Sequence, residues 1–117
     1  MILGFNKRFQ GKILAGVKIH TIRVDEHSRW KKGIKIQFAT GVRTKNYKQF
    51  AEGVCIKVKE IRIEPGERKV YLEGYNISLL PDVIANLAMS DGFDTVEDFW
   101  KWFNKPMVGK LIYFKLI

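Results

Sequence analysis

At 117 residues, with 46% hydrophobic and 28% charged positions, the chain has the size and make-up of one packed domain, and folding at this length buries roughly 65% of the surface that the unfolded chain exposes. The absence of any Pro/Gly/Ser-rich stretch excludes collagen-like and low-complexity architectures, and the absence of a run of about 18 apolar residues excludes a membrane-spanning helix. The net charge of +9 is unevenly spread: residues 1–69 hold 17 Lys/Arg against 6 Asp/Glu, a net +11, whereas residues 70–117 hold 4 against 6, a net −2.

A basic field of this kind attracts polyanions, nucleic acid first among them, although charge that serves only solubility has the same signature. The single cysteine, Cys55, permits no intramolecular disulfide, and charge begins at Lys7, ahead of any signal-peptide core. A cytoplasmic location with no membrane partner is therefore expected.

Ile2 to Phe5 reads as a first strand. Phe9, Ile13 and Leu14 then recur at helical spacing until Gly16, which predicts one or two turns of helix. Ile19 to Val24 is β-branched and extended, and Ile34 to Thr40 alternates with Ile34, Ile36 and Phe38 on one face, so both are predicted strands. Between them lies a polar loop, Asp25 to Gly33. From Gly53 the alternation Val54, Ile56, Val58 changes parity to Ile61 and Ile63, which predicts a long strand bent by a bulge around Lys59 and Glu60. The turn Glu64-Pro65-Gly66-Glu67 joins this strand in a hairpin to Lys69–Tyr75.

The period then changes. Leu80, Val83, Ile84, Leu87 and Ala88 follow helical spacing, with Pro81 tolerated in the first turn and Asp91-Gly92 as the stop. Asp94 offers an N-cap with Glu97 three residues on, and Phe99, Trp100 and Phe103 form the apolar stripe of another helix that Pro106 closes. Gly109 to Ile117 returns to a strand with Ile112, Phe114 and Leu116 toward the core. Short, bent strands on both sides of a helical insert predict one α+β domain over residues 1–117, a small mixed barrel with two to three short helices over one end or one side.

Phosphate-loop and nucleophile-elbow motifs are absent, and His20, His27 and Cys55 do not make a recognisable zinc set, so they read as ordinary sheet or loop residues. Neither a metal nor a cofactor is called for. The segment Gly16-Val17-Lys18-Ile19-His20-Thr21-Ile22-Arg23 lies at a junction of helix and strand. Thr21 and Arg23, two apart, share a strand face, and Lys18 at the strand entry is free to join them. Such a set holds phosphate or polarises a carbonyl, and a Lys of lowered pKa acts as a base toward a Thr hydroxyl; a basic sheet surface with a β-branched filler has the same sequence. A second set interleaves cations with aromatics, as phosphate attraction plus base stacking requires: Arg29, Trp30, Lys31 and Lys32, with Arg43, Lys45, Tyr47 and Lys48. The alternative is Trp30 as a buried lid with the lysines as a solvated rim. Phe93, Phe99, Trp100 and Phe103 read as core.

The pattern Gly-x-Lys-x-x-Thr-x-Arg at Gly16, Lys18, Thr21 and Arg23 resembles the signature of the ASCH domain, a PUA-like β-barrel. Arg8-Phe9-Gln10, Ile13-Leu14-Ala15-Gly16, Lys18 and Thr21-Ile22-Arg23 are similar to the opening of the small bacterial ASCH proteins that act as N4-acetylcytidine amidohydrolases. Trp30-Lys31-Lys32-Gly33 before a strand, and Asp91-Gly92-Phe93-Asp94 to Phe99 before the terminal strand, extend the resemblance along nearly the whole chain, with its specific part in about the first 33 residues. The resemblance implies a PUA-like fold and a cleft for RNA or a nucleoside-like small molecule. It further implies an amidohydrolase reaction in which Lys18 is the proton acceptor, Thr21 the nucleophile, Arg23 electrostatic support and Asp91 the proton donor. Asp91 stands where that subgroup has Glu, one methylene longer, and many ASCH domains carry Glu in place of Thr21. The competing expectation is a non-catalytic RNA-binding module in which Lys18 and Arg23 contact phosphate or base edges and the Arg29–Lys48 rim tracks the backbone. In either case a monomer is expected.

Overall fold

The computed structural model describes residues 1–117 as an α+β fold with one six-stranded mixed sheet and three short helical segments. In chain order these are β1 (Ile2–Phe5), a 3-10 turn (Lys7–Phe9) running into α1 (Gln10–Leu14), β2 (His20–Arg23), β3 (Lys35–Thr40), β4 (Lys48–Glu64), β5 (Lys69–Leu72), α2 (Pro81–Ser90), α3 (Val96–Trp102) and β6 (Met107–Leu116). The sheet order is β1-β3-β4-β6-β2, with β5 added to the far half of β4; β1 and β3 are parallel and all other pairs antiparallel.

The bend in β4 arises from its bulges. Opposite β6, Cys55 pairs with Phe114 but Lys57 with Tyr113, so Ile56 is the extra residue and stays exposed. The kink thus falls three residues before the predicted Lys59-Glu60 site, and Cys55, not Val54 or Ile56, is the buried position there. Beyond the bulge Ile61 and Ile63 are buried as expected. The hairpin to β5 pairs Ile61 with Leu72 and Ile63 with Val70. Ser78 prolongs this edge: its Oγ accepts from the Val70 amide at 3.0 Å, and the Leu79 amide donates to the Val70 carbonyl at 2.8 Å.

The core joins Ile36 and Phe38 of β3, Leu111, Ile112 and Phe114 of β6, and Ile84, Ala88 and Phe99 of the helices. Full burial of a ring such as Phe38 stabilises by about 1.5–3 kcal/mol. Ends of the predicted stripes fall outside: Leu14, Leu80, Val83 and Leu116 are exposed, because each lies at the last or first turn of its helix or strand. The N-cap of α3 is Thr95, whose Oγ1 accepts from the Asp98 amide at 3.1 Å, and not Asp94. Asp94 instead receives the Lys12 ammonium at 2.5 Å.

The sheet does not close into the expected barrel: no backbone ladder joins β1 to β2, so the sheet is open. Closure requires strand number, tilt and register to agree around a full turn, and here side chains occupy the last gap. The Arg23 guanidinium on β2 donates through Nη2 to the Gly4 carbonyl of β1 at 2.6 Å and stands 4.9 Å from the Phe5 ring centroid. No helix is long and apolar enough to cross a membrane.

Candidate functional site

Two helix ends deliver the site residues. After α1 the Gly16 amide donates to Ile13 and the Val17 amide to Lys12, the double bond of a Schellman cap, with Gly16 at φ +74°. After α2 the Gly92 amide donates to Met89 and the Phe93 amide to Ala88 in the same pattern, with Gly92 at φ +99°. The first cap turns the chain so that Lys18 follows it directly into β2; the second places Asp91 as the C-cap residue of α2. Gly16 is exposed, and its positive φ is what the turn from α1 into β2 requires.

The two caps dock on one another. The Ile19 amide donates to the Ser90 carbonyl at 2.9 Å, Lys12 Nζ to the Gly92 carbonyl at 2.7 Å, and Lys18 Nζ to the Asp91 carbonyl at 2.5 Å. Two ammonium groups thus sit at the negative end of α2, where orphan carbonyls and the helix dipole favour cations.

Lys18, His20 and Asp91 form a buried cluster, each about 3% exposed at its side chain. Lys18 Nζ also donates to the His20 carbonyl at 2.8 Å and, more weakly, to Asp91 Oδ1 at 3.4 Å, so all three of its protons are engaged. A carboxylate only accepts, so the 2.9 Å contact between Asp91 Oδ1 and His20 Nδ1 makes that ring nitrogen the donor. Burial pushes the Lys18 amine down to about 8, with Asp91 opposing the shift and Arg23 and Lys12 adding to it. Arg23 is lowered by the same desolvation.

Of these groups Lys18, Arg23 and Asp91, but not His20, line a cleft of about 250 Å³ at the seam between the two sheet edges. Its polar wall holds Lys18, Thr21, Arg23 and Asp91; its apolar wall holds Phe5, Phe9, Phe93, Trp102 and Phe103. Arg23 Nε donates to Thr21 Oγ1 at 3.2 Å, which leaves the hydroxyl proton free. No buried side-chain nitrogen or oxygen lacks a partner, so Asp91 Oδ2 and Arg23 Nη1, which have none in the protein, keep accessible surface; Asp91 lines this cleft, and Arg23 lines both it and a neighbouring pocket. The polar wall accordingly combines a carboxylate, a hydroxyl with a free proton and a guanidinium.

The residues expected from the motif therefore converge, and Asp91 joins them despite its shorter side chain. Lys18 and Thr21 make no direct hydrogen bond. Of the expected binding residues, Arg23 alone lines this cleft. Arg29 and Trp30 border a separate shallow pocket with Arg23, their amides held by the Asp25 carboxylate at 2.9 and 3.0 Å, and Trp30 is half-buried against the core margin. Lys31 and Lys32 precede β3 and Arg43, Lys45 and Tyr47 follow it, all exposed. The basic rim is thus split by the length of β3, roughly 17 Å at strand rise.

Two site residues escape the sequence reading. His20 alternates away from Thr21 in the strand, and its partner lies 71 residues away. Trp102 falls outside the Phe99, Trp100, Phe103 stripe; its one sequence signal is that a third indole sits at the end of a short amphipathic helix. His27 and Cys55 take no part, and no cluster of three metal-ligating side chains forms.

Fold and cleft together define an open-sheet α+β protein with a buried lysine–aspartate–histidine cluster at the sheet seam. Comparison of the chain with protein-family models, with curated proteins and with solved structures finds no match.

Proposed function

We propose that the cleft binds a nucleoside-like ligand and that the chain is an amidohydrolase of the ASCH type, removing an N-acyl group from a cytidine-like nucleoside. The observation that carries this reading is the convergence of Lys18, Thr21 and Asp91 in one cleft with a buried amine at about 8. An amine tuned toward neutrality is the form a base requires.

Thr21 Oγ1 attacks the acyl carbonyl carbon and its proton passes to the neutral Lys18 amine. Arg23 Nη1 faces the developing oxyanion. The carbon–nitrogen bond then breaks, and the proton held by Lys18 returns to the leaving nitrogen, with the Asp91 carboxylate, its Oδ1 3.4 Å from Nζ, holding the ammonium in place for the transfer. Water attacks the Thr21 ester, giving a proton to Lys18; the bond from the acyl carbon to Oγ1 then breaks, that proton returns from Lys18 to Oγ1, and the carboxylic acid departs. The balance is amide plus water to acid plus amine, with the protein unchanged. A carboxyl one methylene shorter than Glu suffices because Asp91 is brought to the cleft by the helix end itself.

The test is to incubate the purified chain, Lys18→Ala and Thr21→Ala with N4-acetylcytidine and follow cytidine by chromatography, with circular dichroism as the fold control. Turnover that falls by about 10²–10⁴ in both folded variants is the expected result. No turnover by the folded wild type overturns the hydrolase reading.

A second reading, a non-catalytic RNA-binding module, is favoured by the excess of positive charge in residues 1–69 and by the exposed Lys31, Lys32, Arg43 and Lys45. It requires a strand of nucleotides to pass along the seam from one half of the rim to the other.

A further inference from the structure

The aromatic wall of the cleft is not uniform. Phe9 and Phe93 are almost fully buried, at 4% and 3% exposure, and Phe5 is 8% exposed, whereas Trp102 leaves 47% of its surface open. Trp102 rests on Phe9 and Phe93 at centroid distances of 5.4 and 5.9 Å, in edge contacts at 79° and 62° that lay no ring parallel on the indole. Arg8, which does not line the cleft, holds its guanidinium 5.9 Å from the Trp102 centroid and 5.2 Å from that of Phe9. The indole is thus braced by two buried rings and one cation, yet it keeps about half of its surface open and lines the cleft. An open indole in a cleft that also carries Thr21, Arg23 and Asp91 combines a stacking face with a set of hydrogen-bonding groups.

We propose that Trp102 is the stacking platform of the site: a planar heteroaromatic ring inserts between the indole and the Thr21–Arg23 strand, its face on Trp102 and its edge toward Asp91 Oδ2, the Thr21 hydroxyl and Arg23 Nη1. The proposal rests on the reading that the ligand is nucleoside-like, and it adds the residue that recognises the ring as a ring. Stacking of a base on an aromatic side chain tolerates any base, so Trp102 supplies affinity for planar rings and the polar wall supplies the choice among them. Phe93 and Phe9 are committed to the core and cannot replace it.

Of the three tryptophans, Trp102 alone lines the cleft, Trp100 being buried and Trp30 lying at the separate pocket, so indole emission reports on the platform. The experiment titrates wild type, Trp102→Leu, Trp102→Phe and Trp30→Phe with N4-acetylcytidine, cytidine and ribose 5-phosphate, following tryptophan fluorescence and, in parallel, binding heat. The expected result is saturable quenching by both nucleosides and none by ribose 5-phosphate. Quenching persists in Trp30→Phe and is lost in Trp102→Leu, whose Kd rises about tenfold or more, while Trp102→Phe recovers most of the affinity measured by heat. Nucleoside binding detected by heat that leaves the emission unmoved, with the same Kd in Trp102→Leu, overturns the platform and spares the nucleoside reading. Absence of binding heat with either nucleoside overturns both.

Discussion

His20 on β2 and Asp91, between the two helices of the insert, meet in the protein interior, Nδ1 donating to Oδ1 at 2.9 Å with both side chains about 3% exposed. The bond locks the carboxylate so that one oxygen serves the protein and the other keeps accessible surface. Replacing His20 by Leu leaves Asp91 Oδ1 with only the long contact from Lys18, and the expected loss of stability is about 1–3 kcal/mol. His20→Asn keeps a donor near the Nδ1 position and recovers at least half of that loss. Urea unfolding of the two variants checks this; equal losses would show that packing of the ring against Tyr113, 5.0 Å away by centroid, and not the hydrogen bond, accounts for the cost.

The lowered Lys18 pKa carries a stability signature. The amine of the folded chain releases its proton near 8, against 10.5 for an unperturbed lysine. Between those values the unfolded chain binds the additional proton, so stability from this group rises with pH across that window and is constant below it. The difference in unfolding free energy between wild type and Lys18→Met is expected to shift in favour of wild type by up to about 1.4 kcal/mol per pH unit above pH ~8. Urea unfolding from pH 6 to 10 measures it, and a difference that stays flat throughout would place the amine's pKa at its ordinary value. For the proposed hydrolysis the same proton sets the rate: activity climbs about tenfold per pH unit below ~8 and levels above it.

Much of this arrangement is legible in the sequence, for reasons that differ from element to element. β1, the hairpin, α2 and the site triplet Lys18, Thr21 and Arg23 follow from local period and punctuation, which a single chain displays openly. The bulge at Ile56 does not, because Val54, Ile56 and Val58 alternate well enough to mimic a continuous face; only pairing with β6 reveals which residue is surplus. That the sheet stays open is likewise a property of two four-residue edges that meet only through Arg23, and neither edge carries a sign of the other. His20 and Trp102 remain hidden for the same reason: each acquires its role from a partner brought by a different part of the chain.

Gly92 packs against the Lys18 stem. A Cβ at this position would stand 2.9 Å from Lys18 Cδ and 3.0 Å from the Phe9 ring, on a backbone at φ +99°. Gly92→Ala is expected to cost about 1–3 kcal/mol and to displace Lys18 from its three acceptors. Gly66→Ala, where a Cβ meets nothing within 4 Å, serves as the control and is expected to be near neutral. Thermal unfolding separates the two, and an equal Tm for both variants would contradict the packing described.

The module reading makes a prediction about salt that the cleft does not share. If a single strand of RNA follows the rim, log K for binding falls linearly with log salt, and Lys31→Gln with Lys32→Gln lowers the slope by about 1.4. Lys18→Met, a buried change, leaves that slope alone. Anisotropy of a labelled oligonucleotide between 50 and 200 mM salt, on the order of the range where such contacts are lost, distinguishes the cases; a slope near zero in wild type rules the rim out as a nucleic-acid track.

The open seam also bears on how copies of this chain treat one another. A sheet edge with bare amides and carbonyls invites pairing with a neighbouring molecule. Here β1 and β2 turn their free edges toward a common cleft, and the Gly4 carbonyl is already engaged by Arg23. The two edges therefore shield each other from intermolecular strand addition without a closing ladder, and the same guanidinium that lines the cleft guards the molecule against aggregation along β1.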